Sequence, residues 1–222
     1  MESRTPRPPA FVFGMTVNGL SVLRSLGRRG VECYGFDFDE TKIGFYSRYC
    51  SRRVLIGDPL RDAEGVMAVV RRLASRLDSR PVLFVTSDDY LDLLAGRSAE
   101  IGGLFLHALP GPEVIATILD KRKLARAAER AGVPCPRTVE ESALAGPRLP
   151  AVPLDFPVIV KPAASHLGRR AGLFSKRKAW LVADPAGLEA ALQAGRAAGL
   201  DLLVQEHVPG PDSDIYLFYG HY

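Results

Sequence analysis

Short apolar runs alternate with helical spacing over the first half of the chain. The runs predict strands at residues 11–14, 31–38, 53–56, 81–86 and 104–109. Apolar positions recur at three- and four-residue steps at residues 20–30, at 57–77 and from 90 onward, which predicts helices between the strands. Because parallel strands need a crossover connection, this alternation predicts a doubly wound α/β domain with a parallel sheet over residues 10–117.

The pattern changes from residue 118. Residues 120–131 have the spacing of a charged amphipathic helix that ends at Gly132, and two prolines at 134 and 136 forbid helix in the segment that follows. Residues 140–155 lack periodicity and are predicted to be a mobile connection. The remaining pattern predicts strands at 156–161, 178–183 and 202–208, a helix at 184–198 capped by Asp184 and Pro185, and a final β-rich segment at 214–222.

Composition and charge exclude several classes of protein. The chain has no apolar run near the ~20 residues that a membrane helix needs, and residues 1–9 lack the apolar core of a secretory signal, so they are predicted to be a disordered tail. The net charge of +4 comes from scattered residues, which favours a solvated basic surface over a nucleic-acid partner. Three widely spaced cysteines indicate neither a disulfide framework nor a zinc site, so we expect a cytoplasmic protein; nothing specifies an oligomeric state.

Polar residues follow three of the predicted strands in the first domain, where ligands bind in such folds. They are Gly14, Thr16 and Asn18, then Asp37 and Asp39, then Ser87 and Asp88. The glycine-containing turn lacks both the Walker A lysine and the third glycine of a dinucleotide fingerprint, so it is a plain turn or a substrate-binding loop. Asp37 and Asp39 are predicted either to bind a ribose or amino group or to cap the next segment. For Ser87 and Asp88 the pattern favours a role as a helix cap.

Residues after position 119 carry the more specific chemistry. Lys121 begins a predicted helix behind Asp120, and Lys161 ends the apolar strand Phe-Pro-Val-Ile-Val-Lys. An ammonium in such a position needs an anionic partner, and phosphate would supply one. A loop with Ser165 and Gly168 follows, and then the segment Leu-Val-Gln-Glu-His-Val-Pro-Gly, with acidic residues beyond it.

In order and spacing these residues resemble the ATP-grasp superfamily, and within it the carboxylate-amine ligases. The resemblance rests on Asp120-Lys121 with the following Ala-Gly-Val-Pro-Cys-Pro, on Val-Ile-Val-Lys-Pro, and on Gln-Glu-His-Val-Pro-Gly-Pro-Asp-Ser-Asp. It implies a Rossmann-like preATP-grasp domain at 10–117, and at 118–222 an α+β ATP-grasp lid subdomain with an incomplete remainder. The implied reaction joins a small-molecule carboxylate to an amine through an acyl phosphate, at the expense of ATP.

The resemblance also implies roles for individual residues. Lys121 and Lys161 would contact the nucleotide phosphates, and the loop with Ser165 and Gly168 would close over them. The adenine hinge would consist of Gln205, Glu206, His207 and Val208, in which Glu206 and the backbone read the base. Either Asp212 or Asp214 would bind the ribose, because the intervening proline leaves the register open.

One departure from the family concerns the metal. Family members place Mg²⁺-binding Glu and Asn residues well downstream of the hinge, and we expect those ligands beyond residue 222 and none within this chain. The sequence is therefore interpreted as the ATP-binding fragment of a ligase, inactive by itself, in preference to a degenerate relative of the family. The catalytic residues are not assigned. The alternative is a non-catalytic nucleotide-binding or regulatory module; an NAD-dependent oxidoreductase is disfavoured by the incomplete glycine fingerprint.

Overall fold

The structure, a computed structural model, describes residues 7–144, 152–174 and 177–216. The chain divides into two compact units, Met1–Leu119 and Asp120–Tyr222, and each is built around its own four-stranded sheet. No helix in the described part of the chain is long and apolar enough to cross a membrane.

The first unit is a parallel sheet with the order β3-β2-β1-β4. Its strands are β1 (Ala10–Phe13), β2 (Cys33–Asp37), β3 (Arg52–Leu55) and β4 (Val82–Val85). Its helices are α1 (Val17–Gly27), α2 (Ala63–Ala74), α3 (Asp88–Ala95), α4 (Ser98–Leu104) and α5 (Pro112–Leu119), with a 3₁₀ turn at Ile43–Tyr46. The predicted α/β class with a parallel sheet is therefore confirmed.

Strand β1 is buried on both faces, as its unbroken apolar run requires. Phe11 and Phe13 enter one core cluster, while Ala10 and Val12 enter another together with Leu23 of α1. The Phe13 ring stacks on Phe36 of β2 with centroids 4.5 Å apart, so aromatic contacts join the two central strands.

Three predictions for this unit need correction. Helix α2 begins at Ala63, because Asp62 caps it by accepting a hydrogen bond from the N–H of Gly65, and residues 59–61 form a turn before it. The strand predicted at 104–109 is a single parallel bridge between Val82 and Leu106, since α4 still occupies Leu104. Within the predicted tail, residues 1–6 lie outside the described part, but the Pro9 carbonyl accepts a hydrogen bond from Val82.

The second unit contains an antiparallel sheet with the order β5-β8-β6-β7. Its strands are β5 (Thr138–Glu140), β6 (Val158–Pro162), β7 (Trp180–Val182) and β8 (Leu202–Glu206). Its helices are α6 (Lys121–Arg130), α7 (Ser165–Arg170) and α8 (Pro185–Ala197), with 3₁₀ turns at Glu141–Leu144 and Asp212–Asp214. The core lies between the sheet and α8, where Val158, Val160, Leu202 and Val204 pack.

The connection predicted at 140–155 contains regular structure that the sequence did not indicate. Strand β5 pairs with β8, and a 3₁₀ turn follows it; residues 145–151 lie outside the described part. The prediction of a capped helix from Asp184 holds, since its carboxylate accepts from the N–H of Gly187 at 2.8 Å. Of the predicted terminal strand, residues 214–216 are not in a strand and the rest lies outside the described residues.

Candidate functional site

Lys161 lies on the face of β6 opposite the hydrophobic core. Val158 and Val160 point into the core, so the alternation of a strand places Ile159 and Lys161 on the other face. The ammonium of Lys161 donates a hydrogen bond to Oε1 of Gln205 at 2.6 Å. Burial lowers the pKa of Lys161, and no carboxylate of the described residues lies within ion-pair distance of it.

Lys121 is fastened to the loop that follows β6. It is the first residue of α6, whose cap residue Asp120 accepts from the N–H of Arg122 at 2.8 Å. The Lys121 ammonium donates to Oγ of Ser165 at 2.7 Å and to the carbonyl of Pro162 at 3.0 Å. Its backbone N–H donates to the carbonyl of Ala163 at 3.0 Å, so Lys121 and Ser165 meet at the carboxyl end of β6.

The loop after β6 begins with the short helix α7. A Cβ on Gly168 would lie 2.4 Å from Cγ of Pro162, so close packing onto β6 requires glycine at this position. His166 is 5% exposed, and its Nδ1 has no hydrogen-bond partner among the described residues. The structure thus assigns Gly168 a packing role, whatever ligand the loop contacts.

Two side chains of the predicted hinge, those of Gln205 and Glu206, make hydrogen bonds with residues 137 and 138 at the start of β5. The Gln205 amide donates from Nε2 to Oγ1 of Thr138 at 2.8 Å. The Glu206 carboxylate accepts from the backbone N–H of Arg137 at 3.1 Å and from its Nε at 3.4 Å. Both contacts with Arg137, the backbone one first, lower the pKa of Glu206. The Glu206 side chain is therefore engaged within the sheet, whereas Val208 is 64% exposed.

The two aspartates that were alternatives for the ribose lie in the 3₁₀ turn after the hinge. Asp214 is exposed and accepts a hydrogen bond from Oγ of Ser213 at 3.2 Å, while the side chain of Asp212 lies outside the described part. His207, also in the predicted set, is half-buried. Neither aspartate is distinguished by the structure, so both remain predictions.

In the first unit, Asp37 is committed to the local fold. Its carboxylate is 3% exposed and accepts from the backbone N–H of Met15 at 2.7 Å and of Asp39 at 3.1 Å. Asp39 in turn accepts from Thr41 and pairs with Lys42, and these contacts, the Thr41 hydroxyl first, lower its pKa to about 2. The contacts with the backbone of Asp39 and Thr41 are those of a cap on the next segment, whereas the contact with Met15 joins Asp37 to the turn after β1.

The other predicted residues of that sheet edge differ in exposure. Gly14 has a φ of +91° and packs against Ser87, whose Cβ would be 2.9 Å from a Cβ on the glycine. Thr16 and Asn18 are exposed around the first turn of α1. Ser87 occupies the cap position of α3, but its side chain makes no capping hydrogen bond, and Asp88 is the first helical residue.

Sequence reasoning missed Thr138 and Arg137, which hold the two hinge side chains. Both line a cavity of about 390 Å³ next to α6. Their segment has one weak signal, a Thr-Val-Glu triplet after two prolines, which is compatible with a short edge strand. Among the described residues, no group of three or more His, Cys, Asp or Glu is placed to hold a metal ion.

The fold has counterparts among solved structures, although no family model and no curated protein sequence matches the chain. L-amino acid ligase from Bacillus licheniformis matches with a TM-score of 0.63 and 15% identity, over 93% of this chain and 46% of that one. The ADP complex of PurK, an N5-carboxyaminoimidazole ribonucleotide synthetase, matches with a TM-score of 0.63 and 12% identity, over 93% and 49%.

A third structure is N5-carboxyaminoimidazole synthase from Aspergillus clavatus with ADP and 5-aminoimidazole ribonucleotide. It has a TM-score of 0.60 and 17% identity, over 90% of this chain and 46% of that one. These matches confirm the predicted fold class, an α/β unit with a parallel sheet followed by an α+β unit. The chain spans about half the length of each of these structures.

Proposed function

We propose that the second unit binds ATP and that this chain is the nucleotide-binding part of an ATP-dependent carboxylate-amine ligase. The observation that carries the proposal is the placement of two lysines at the carboxyl end of β6. The ammonium of Lys161 is half-buried, and within the described part of the chain its hydrogen-bond acceptor is a neutral amide. The ammonium of Lys121 reaches Ser165 and Pro162 at the same strand end.

A polyphosphate fits this arrangement for a physical reason. Partial burial makes the charge of Lys161 costly, and an anion that approaches it recovers part of the lost solvation. Lys121 and the hydroxyl of Ser165 supply further donors beside it. Four of the solved structures with this fold are complexes with ADP or ATP, which supports adenine nucleotides as the ligand class.

The base would lie beyond β8, where the strand ends at Glu206. Because Arg137 holds the Glu206 carboxylate, we assign the reading of the adenine edge to the backbone after Glu206, and we assign apolar contact with the ring to Val208. The ribose would meet Asp212 or Asp214. The exposed residues of the first unit, among them Thr16 and Asn18, are proposed to face the carboxylate or amine substrate.

The proposed reaction has two steps. An oxygen of the substrate carboxylate attacks the γ-phosphorus, the bond from that phosphorus to the β–γ bridging oxygen breaks, and ADP leaves. The amine nitrogen then attacks the acyl carbon, the bond to the phosphate oxygen breaks, and the amine loses a proton. Lys121 and Lys161 lower the repulsion between the two anions in the first step. The described residues do not form a site for the implied Mg²⁺, so no step is assigned to the metal.

Binding and reaction are tested separately. Calorimetric titration of the chain with adenosine, AMP, ADP and ATP should show affinity that rises with phosphate number, and equal affinity for all four would contradict the phosphate site. ADP release is then measured with panels of acids and amines. We expect release only when this chain is combined with the remaining part of a ligase of this fold. Nucleotide binding with no acid-dependent release in that complete form would favour a non-catalytic nucleotide-binding module.

A further inference from the structure

Three side chains from three strands form one hydrogen-bonded chain on the face of the sheet that carries Lys161. The Lys161 ammonium donates to Oε1 of Gln205 at 2.6 Å, and Nε2 of Gln205 donates to Oγ1 of Thr138 at 2.8 Å. The Thr138 hydroxyl donates to the carbonyl of Pro136 at 3.1 Å. An ammonium can only donate, so it faces the amide oxygen, and the amide nitrogen then donates to Thr138.

Thr138 and the Lys161 ammonium together fix which end of the amide faces the lysine. The oxygen and nitrogen of a glutamine amide have nearly the same shape, so their positions follow from their partners. The hydroxyl of Thr138 gives its proton to Pro136 and therefore presents a lone pair, which the amide N–H₂ fills. The reverse orientation would place the amide N–H₂ against the Lys161 ammonium, with two donors facing each other.

An amide differs from a carboxylate at this position in one decisive respect. Both can anchor the ammonium, but a glutamate would pair with it and cancel its charge before a phosphate arrives. Strand register places Glu140 on the same face, because Glu140 and Lys161 both lie opposite Leu203 of β8, and Glu140 pairs with Arg126. Since none of the carboxylates that the structure describes pairs with it, the Lys161 ammonium keeps its charge in a fixed position.

We propose that Gln205 is a positioning residue that anchors the Lys161 ammonium without neutralising it, and that Thr138 fixes the orientation of the Gln205 amide. The consequence for ligand recognition, a preference for nucleotides with more phosphates, rests on the proposed function. The anchoring itself does not, because it is a property of the protein without ligand.

The anchor is tested by measuring how fast Lys161 is acetylated by acetic anhydride between pH 7 and 11, with mass-spectrometric detection of the Lys161 peptide. Gln205→Glu should raise the apparent pKa and slow labelling, because a carboxylate stabilises the ammonium. Gln205→Leu should lower the pKa and accelerate labelling, because the acceptor is lost. Thr138→Val should act in the direction of Gln205→Leu with a smaller shift.

The matched control is Gln193→Leu on the exposed side of α8, which should leave the Lys161 profile unchanged. Labelling of the exposed Lys178 in the same samples is the internal reference for the reagent, and the far-UV circular dichroism spectrum shows whether each variant retains the wild-type fold. If a Gln205 variant does not fold, Thr138→Val tests the anchor. Shifts of the same sign for Gln205→Glu and Gln205→Leu, or no shift for either, would overturn the proposal.

The nucleotide arm of the experiment compares the dissociation constants of ATP and adenosine. Gln205→Glu should weaken ATP roughly tenfold more than it weakens adenosine, because one charge-assisted contact with the phosphates is lost. ATP binding at the wild-type level in that variant would overturn the claim that neutrality matters. If the wild-type chain binds no adenine nucleotide, the proposed function fails, while the labelling result still decides whether Gln205 anchors Lys161.

Discussion

The carboxylate of Asp37 accepts a hydrogen bond from the backbone N–H of Met15 at 2.7 Å, and both residues are buried. The contact joins the end of β2 to the turn that leads into α1. Asp37→Ala would leave a buried donor unsatisfied, so we expect a loss of about 1–3 kcal/mol in the free energy of unfolding. The loss of stability is measured by urea denaturation, with amide hydrogen exchange in the first unit as the readout.

The control for this variant is Asp78→Ala at an exposed position, which should change stability by less than about 0.5 kcal/mol. Because Lys121 and Lys161 belong to the other unit, we expect Asp37→Ala to bind ATP as the wild type does. A variant of wild-type stability that no longer binds nucleotide would show that Asp37 is a ligand contact and not a structural one.

Local sequence signals predicted the parts of the fold that depend on local physics. The apolar run of β1, the cap at Asp184 and the lysine at the end of β6 each follow from neighbouring residues, and each lies where it was predicted. The contact between Lys161 and Gln205 joins residues 44 apart, and pairing of β5 with β8 brings Thr138 to Gln205. Such contacts arise from strand register, which a single sequence does not specify.

Two glycines in helices should respond oppositely to alanine. A Cβ on Gly19 in α1 would lie 2.0 Å from the carbonyl oxygen of Gly14, so Gly19→Ala should cost about 1–3 kcal/mol or more. A Cβ on Gly102 in α4 would meet nothing within 4 Å, so Gly102→Ala should gain about 0.4–1 kcal/mol. Thermal unfolding of the pair checks both, and equal effects would mean that space around Gly19 is not the limiting factor.

Removal of either Lys121 or Lys161 should weaken the binding of ATP more than the binding of adenosine. We expect Lys121→Ala and Lys161→Ala each to raise the dissociation constant of ATP about 10- to 100-fold, the value of a charge-assisted hydrogen bond. Lys123→Ala is the control, because Lys123 is exposed on the same helix as Lys121. Isothermal titration with ATP and adenosine separates the effects; equal weakening of adenosine would indicate a disturbed fold and not a lost phosphate contact.

The three cysteines should differ in reactivity toward a thiol reagent. Burial, and to a lesser extent Cys50 and Glu32, raises the pKa of Cys33 to about 11, and burial raises that of Cys50. Cys135 is exposed. Because the thiolate is the reactive form, Ellman's reagent at pH 8 should modify Cys135 first and Cys33 only on unfolding. Cys135→Ser should abolish the fast phase; a fast phase that persists would show that another thiol is accessible.

Glu206 provides a test of how the base is read. Its carboxylate is held by Arg137, and those contacts keep its pKa below the usual range, so it stays ionised at neutral pH and does not turn toward a ligand. If the backbone after Glu206 reads the adenine edge, Glu206→Gln should keep the preference for ATP over GTP, because an amide oxygen still accepts from the Arg137 N–H. Competition between ATP and GTP, measured by calorimetry, gives the ratio of dissociation constants.

Val208→Ala serves as the comparison, since it should weaken both nucleotides equally by removing apolar contact with the ring. A preference that disappears in Glu206→Gln alone would place the carboxylate against the base, and Arg137 would then have to release it when the nucleotide binds.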